Sequence, residues 1–453
     1  MKLVRPITAV AVVFVSSAVF AAPPVPEPPR PVLGRAILVT KATDAEAARA
    51  RSHVFKPPHV AMVHPEDQTD GPSLLAHLRT NPRPRAAAPS TPKLNVTKFG
   101  ETVHAAFKDN VRGYALGLRK GGQHILTLIW DWARSPEEGG KGWTLDTRMH
   151  TASVGKLMTA IIATKMLDER NLSFDTKIGA YLPNYWTDRA STNAISFRQL
   201  LTHNAGFTAH AGDYATFKAQ IERDAMPGSA KCADPPMPPC PLGYTNGSFS
   251  LVRVLNATMT GAVSKSSKWD LSFTNNASAD AAFNDAMWDL KATDAFLDYA
   301  QAKVFTPSGV ANVKPVPSAS GAMAYSQKGD TQGWNSGDVF GQLGGVGFRL
   351  SVNDVLDVMG TFRRKGTIVS PLKAKEAIEA KLGLDQILDT PAGKLYNKNG
   401  RWGGKNPSED VEQSVAYYLP EDMECVVLVN SWIGPQQASL RGTINDAYLA
   451  NLE

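Results

Sequence analysis

Thr151-Ala152-Ser153-Val154-Gly155-Lys156 runs directly into Leu157-Met158-Thr159-Ala160-Ile161-Ile162-Ala163-Thr164-Lys165-Met166-Leu167. The second part is apolar on most of its surface, the pattern of a helix buried on every side. A serine at the start of such a helix and a lysine three residues on stand on one face, one turn apart. Desolvation there lowers the lysine pKa, so a neutral amine can take the proton of the Ser153 hydroxyl. Backbone N–H groups at the helix start also lie near any oxyanion formed at that serine. Ser153 and Lys156 are therefore the candidate nucleophile and base.

Ser-x-x-Lys by itself is a common pattern, and the chain holds two more copies, Ser90-Thr-Pro-Lys93 and Ser370-Pro-Leu-Lys373. The first lies in a Pro/Ala-rich stretch. The second opens a charged surface helix, where a serine reads as a cap. Only Ser153 precedes an apolar helix, inside which a lysine is costly unless it is used.

Outward from this centre, a helical stretch is expected around residues 103–107. The segment 114–130 reads as a β-hairpin, with Lys120-Gly-Gly-Gln123 as its turn. Residues 1–22 carry Lys2 and Arg5, an apolar run over 7–20 and small residues near Ala21, the layout of a secretory signal. The expected location is periplasmic or secreted. Residues 23–93 are rich in Pro, Ala and Arg and read as an extended lead or linker.

The 453 residues are 43% hydrophobic and 20% charged, the balance of a folded protein, with no internal run long enough for a membrane span. Loss of the signal would leave 46 basic and 42 acidic residues, a net charge of +4. No dense basic stripe with interleaved aromatics is present, so nucleic acid is not an expected partner. Neither His-Glu-x-x-His nor clustered Cys/His spacing occurs, so no metal or other cofactor is expected. No Gly-x-Ser-x-Gly elbow is present either, which argues against an ordinary α/β-hydrolase.

Several stretches after Ser153 match one family in order. Ser153-Val-Gly-Lys156, Leu172-Ser-Phe-Asp-Thr-Lys-Ile-Gly-Ala-Tyr-Leu-Pro183, Leu200-Leu-Thr-His-Asn-Ala-Gly-Phe207, Tyr244-Thr-Asn246, Val304-Phe-Thr-Pro-Ser-Gly-Val310 and Gly344-Gly-Val-Gly-Phe-Arg-Leu-Ser-Val-Asn-Asp354 resemble the class C β-lactamase and D-Ala-D-Ala carboxypeptidase family of serine hydrolases. The resemblance covers residues 94–453. It implies an α+β fold of the β-lactamase/transpeptidase type, with an antiparallel sheet flanked by helices (about 94–150 and 340–453) and a mostly helical part (about 151–339). It also implies that Ser153 attacks a carbonyl, that Lys156 and Tyr244 share the proton transfers, and that Asn246 steadies the substrate amide. Two apart in an extended segment, Tyr244 and Asn246 would point the same way. A phenol serves such chemistry if a neighbouring ammonium lowers its pKa.

The family's third motif, Lys-Thr-Gly or His-x-Gly, is altered here. Lys398-Asn399-Gly400-Arg401 is the preferred counterpart, because Gly400 lets substrate approach the backbone closely. Lys405 competes, but Pro407 would then replace the glycine. The runs 414–420 and 424–430 read as adjacent strands after a lengthened loop. By the resemblance, Lys398 attracts a substrate carboxylate, the Arg401 N–H is the second oxyanion donor, and Asn399 supplies no hydroxyl where the family has threonine.

His203, within the Leu-Leu-Thr-His segment, is expected to brace the site, and neither it nor His210 is expected to form a Ser-His-Asp triad. Cys232 and Cys240, eight positions apart, are suited to a local disulfide in an exported chain. Cys425 reads as a buried thiol. Residues 264–292, with Trp269 and Trp288, have no clear counterpart and read either as a substrate-facing insertion or as a surface loop. The implied activity is hydrolysis through an acyl-enzyme at Ser153 of a D-Ala-D-Ala peptide, a β-lactam or a small ester, with peptidoglycan as a candidate macromolecular partner. The alternative is a penicillin-binding-like fold that binds in the cell envelope with little or no turnover.

Overall fold

The computed structural model describes residues 91–187, 190–207, 212–222, 244–269, 277–403, 410–433 and 439–453. The signal pattern, nearly all of the Pro/Ala-rich stretch, Cys232, Cys240, His210 and Lys405 lie outside the described residues. The chain begins with α1 (Val96–Phe107), longer than the expected stretch because Asn95 caps it upstream, its Oδ1 accepting the Lys98 N–H at 3.1 Å. The hairpin β1 (Gly113–Lys120) and β2 (Gln123–Arg134) closes with Lys120 opposite Gln123. Gly121 and Gly122 take φ of +57° and +87°, the left-handed pair that a two-residue hairpin turn requires.

Two short strands follow, β3 (Lys141–Gly142) and β4 (Met149–His150), and then the helix α2 (Gly155–Asp168). The next segment is helical: α3 (Ala190–Asn193), α4 (Phe197–Leu201), α5 (Tyr214–Glu222), α6 (Asn246–Thr260) and α7 (Ala277–Ala300). After β5 (Arg349–Leu350) come α8 (Val352–Gly360) and α9 (Pro371–Glu379). Four strands complete the sheet, β6 (Gln386–Thr390), β7 (Gly393–Gly403), β8 (Asp410–Leu419) and β9 (Met423–Val429), before the closing helix α10 (Leu440–Ala450).

Seven strands form one antiparallel sheet in the order β3-β2-β1-β9-β8-β7-β6, while β4 and β5 pair separately. The first and last parts of the chain thus share a sheet, because β1 lies beside β9. The apolar run Cys425–Val429 of β9 fits this central place, where both faces are covered. One face packs Leu116, Val415, Tyr417 and Val427 under α1 and α10. The other packs Ala115, Ala416, Val426 and Leu428 against α2 and α8. Period-two alternation assigns each strand residue to one of these two cores, so the register decides which side chains of β7 reach the helical side.

The segment left open between insertion and surface loop contributes to the core where it is described. Trp288, on α7, is fully buried, donates its indole N–H to the Ser267 carbonyl at 3.2 Å, and meets Trp269 edge-on at 5.8 Å. Ser370 caps α9 by accepting the Lys373 N–H at 3.2 Å, so this copy of Ser-x-x-Lys is a helix start. Among the described residues Cys425 is a free, buried thiol, no group of His, Cys, Asp and Glu could hold a metal ion, and no helix is long and apolar enough to cross a membrane.

Candidate active site

The chain passes from β4 into a single 3-10 turn, Ala152–Val154, and then into α2. Ala152 takes a φ of +46°, a strained value for a residue with a Cβ, immediately before Ser153. Lys156 lies one helical turn beyond Ser153 and is fully buried, its Nζ 2.9 Å from Ser153 Oγ. The amine also donates to Asn246 Oδ1 at 2.6 Å and to the Gly345 carbonyl at 2.7 Å. Burial, followed by the charge of Lys398, holds the Lys156 pKa well below the usual lysine range, and Asp385 only partly opposes this. A neutral amine has two N–H groups and one lone pair. Asn246 and Gly345 take the two N–H groups, which leaves the lone pair for the Ser153 hydroxyl.

Gly345 reaches the amine because nothing larger fits beside α6. A Cβ there would lie 2.9 Å from the Asn246 carbonyl and 2.7 Å from Ser250 Oγ. The Gly-Gly pair of the 344–354 segment thus serves to bring a carbonyl to Lys156, a role that its side-chain pattern does not disclose.

Tyr244 stands between two lysines. Lys156 Nζ lies 4.7 Å from its ring centroid and Lys398 Nζ 4.6 Å, and Lys398 donates to the phenol oxygen at 3.1 Å. The phenol also hydrogen-bonds Ser153. The expectation that an adjacent ammonium lowers the phenol pKa is overturned, since burial and then the Asp385 charge push it well above 10. Burial outweighs the nearby lysines, and the charge of Lys398 is compensated by its own ion pair. Tyr244 is therefore a proton donor in the resting site. Its relation to Asn246 also differs from the extended pair expected. Thr245 caps α6 by accepting the Ser248 N–H at 3.3 Å, so Asn246 is the first residue of a helix and reaches Lys156 from there.

The compensating group is Asp385, which sequence reading did not single out. Its Oδ1 pairs with Lys398 Nζ at 2.5 Å, its Oδ2 accepts the Asn399 N–H at 2.9 Å, and Arg441 of α10 stands 3.8 Å away. Burial alone would raise the carboxyl pKa, but Lys398 and Arg441 outweigh it and hold the group below its ordinary value.

Lys398 and Gly400 leave β7 on the α2 side, opposite Ala416 and Ser414 of β8. Asn399 lies opposite Val415, which belongs to the core under α1 and α10, so its side chain leaves by the other face. Gly400 lies against the Ser153 turn. A Cβ on it would come within 2.2 Å of Ser414 Oγ, 2.6 Å of the Thr151 carbonyl and 3.0 Å of the Ser153 nitrogen. The Asn399 N–H points away from β8 toward Asp385, and strand hydrogen bonding alternates, so the Arg401 N–H points to the same outer edge. The Arg401 side chain shares the Asn399 face, and burial and then Arg441 lower its pKa to about 10.

His203 stacks on Tyr244 at 4.1 Å between centroids, and its Nδ1 accepts the Thr245 N–H at 3.3 Å. Burial, then Lys398, holds its pKa well below 6.5, so the ring is neutral and serves as a brace. Just before the Ser153 turn, His150 Nδ1 meets Glu412 Oε2 at 3.0 Å, a buried pair that carries no sequence motif.

The sequence matches the model of the Beta-lactamase family over residues 95–441. No curated protein matches the chain. Among solved structures it is similar to a β-lactamase/D-alanine carboxypeptidase from Pseudomonas syringae, at 15% identity and a TM-score of 0.55, covering 79% of this chain and 99% of that one. A β-lactamase from Sulfitobacter sp. EE-36 is similar at 18% identity and TM-score 0.54, covering 78% and 97%. The octameric penicillin-binding protein homologue from Pyrococcus abyssi gives 18% identity and TM-score 0.52, covering 76% and 75%. At such identities the structural likeness shows the fold alone, the β-lactamase/transpeptidase-like arrangement of helices and antiparallel sheet.

Proposed function

Because the chain belongs to the Beta-lactamase family, whose members are serine hydrolases acting on amides and esters, we propose that it hydrolyses such a bond through an acyl-enzyme at Ser153. The observation that carries this reading is the buried Lys156 amine, 2.9 Å from Ser153 Oγ and held also by Asn246 Oδ1 and the Gly345 carbonyl. Ser153 Oγ attacks the substrate carbonyl carbon and its proton passes to the Lys156 lone pair. The tetrahedral oxyanion is received by the N–H groups of Ser153 and Arg401, where a single donor is worth about 10²–10³ in rate. As the intermediate collapses, the C–N or C–O bond breaks and the leaving group takes the Tyr244 phenol proton. The Lys156 ammonium returns a proton to the tyrosine, and water then releases the acyl group by the same steps in reverse order. Asn246 both orients Lys156 and presents an amide to the substrate. The reading includes export, on the strength of the residue 1–22 pattern, and a peptide, β-lactam or ester as substrate.

The altered third motif favours one rival, a binding protein that keeps the fold without turnover. Purified protein assayed on activated esters separates the two. Turnover that disappears in Ser153→Ala supports the hydrolase, whereas a folded protein inert on every activated ester supports the rival.

A further inference from the structure

We propose that Asp385 is a specificity-determining residue, a built-in carboxylate that occupies Lys398 so that the enzyme prefers leaving groups without a carboxylate beside the scissile bond. This rests on the reading of Ser153 as the acylated serine. Lys398 is fully buried, faces the Ser153 side of β7, and already has two oxygen partners, Tyr244 OH and Asp385 Oδ1. Asp385 is fixed at three points besides: its Oδ2 holds the Asn399 N–H, its backbone N–H donates to the Asn397 carbonyl at 2.8 Å, and Arg441 stands behind it.

A substrate carboxylate brought to Lys398 would meet this second carboxylate, and like charges at such a place are strongly disfavoured. Positive charge in excess of Asp385 is present nearby, in Lys381, Arg401 and Arg441. It does not reopen the position. The Arg401 side chain leaves β7 by the opposite face, Arg441 is nearly fully buried on α10, and Lys381 lies in the turn after α9. The Tyr244 proton, by contrast, is delivered to any leaving group, so a neutral ester or amide loses nothing at this wall.

The test uses the full chain and two thioesters with the same acyl group, one with thioglycolate as leaving group and the other with its methyl ester. The wild type is expected to favour the methyl ester by at least about tenfold in kcat/KM. Asp385→Asn is expected to erase or invert this preference through a lower KM for the acid, and the gain should vanish in the double variant Asp385→Asn/Lys398→Met. Circular dichroism verifies that each variant is folded, and if Asp385→Asn does not fold, the wild-type ratio decides. A wild type that takes the acid as well as the methyl ester overturns the inference, as does a folded Asp385→Asn with an unmoved ratio. If neither thioester is turned over, the hydrolase reading fails and takes this inference with it.

Discussion

Two buried lysines flank the Tyr244 ring at almost equal distances, 4.7 Å for Lys156 and 4.6 Å for Lys398. They differ in their other partners. Lys156 sits among a hydroxyl, an amide and a carbonyl, while Lys398 is ion-paired to Asp385. Burial lowers both pKa values, but Asp385 opposes the shift directly at Lys398 and only from a distance at Lys156. One side chain type thus stands among neutral partners on one wall and against a carboxylate on the other, and the difference lies in that single carboxylate.

The largest expected effect separates the two walls by chemistry. Lys156→Met should lower kcat by roughly 10²–10⁴, the usual worth of a positioned base, while leaving the fold intact, because a buried amine without an ion partner is replaced by an apolar chain of similar volume. The wild-type pH–rate profile carries the same signature. The Lys156 pKa is lowered, so activity should rise with pH through a value well below the ordinary lysine range, the ammonium being unable to accept the serine proton on the acid side. Tyr244, with its pKa raised, should impose no basic limb near pH 10. A rising limb at the ordinary lysine pKa would break the comparison.

Next comes stability. Lys398→Met leaves Asp385 buried without its main partner, which should cost about 3 kcal/mol, the low end for a broken buried pair because Arg441 still stands 3.8 Å away. Chemical denaturation should therefore show a loss for Lys398→Met and little or none for Lys156→Met. Equal losses would mean that both lysines are charged. Gly400→Ala should cost about 1–3 kcal/mol by overpacking against Ser414 and Thr151, with activity reduced as the Ser153 turn is displaced. The smallest effect is expected away from the site, where Ser370→Ala removes a helix cap at about 1 kcal/mol and leaves turnover unchanged.

What could be read in the sequence follows from how local each feature is. The apolar helix after Ser153 and the Gly-Gly hairpin turn show themselves in consecutive residues, so spacing and periodicity disclose them. Lys398 and Gly400 were legible as a motif, and strand alternation places both on the α2 side. Asp385 was not, since it meets Lys398 across the pairing of β6 with β7 and sits in no recognisable pattern. The Gly345 carbonyl is a backbone group, and its approach to Lys156 depends on α6 lying close behind. The Tyr244 shift runs opposite to the sequence expectation because a neighbouring lysine is visible in a sequence, whereas burial of the phenol is a property of the folded interior. The same holds for His150 and Glu412, which come together from strands 262 residues apart.

The most direct test of acylation at Ser153 is to incubate the protein with a fluorophosphonate or an activated ester, quench in acid, and locate the added mass by peptide mapping. One adduct per chain is expected, on the peptide carrying Ser153, formed faster as pH rises and absent from Ser153→Ala. An adduct on another residue, or one that persists in Ser153→Ala, would contradict it.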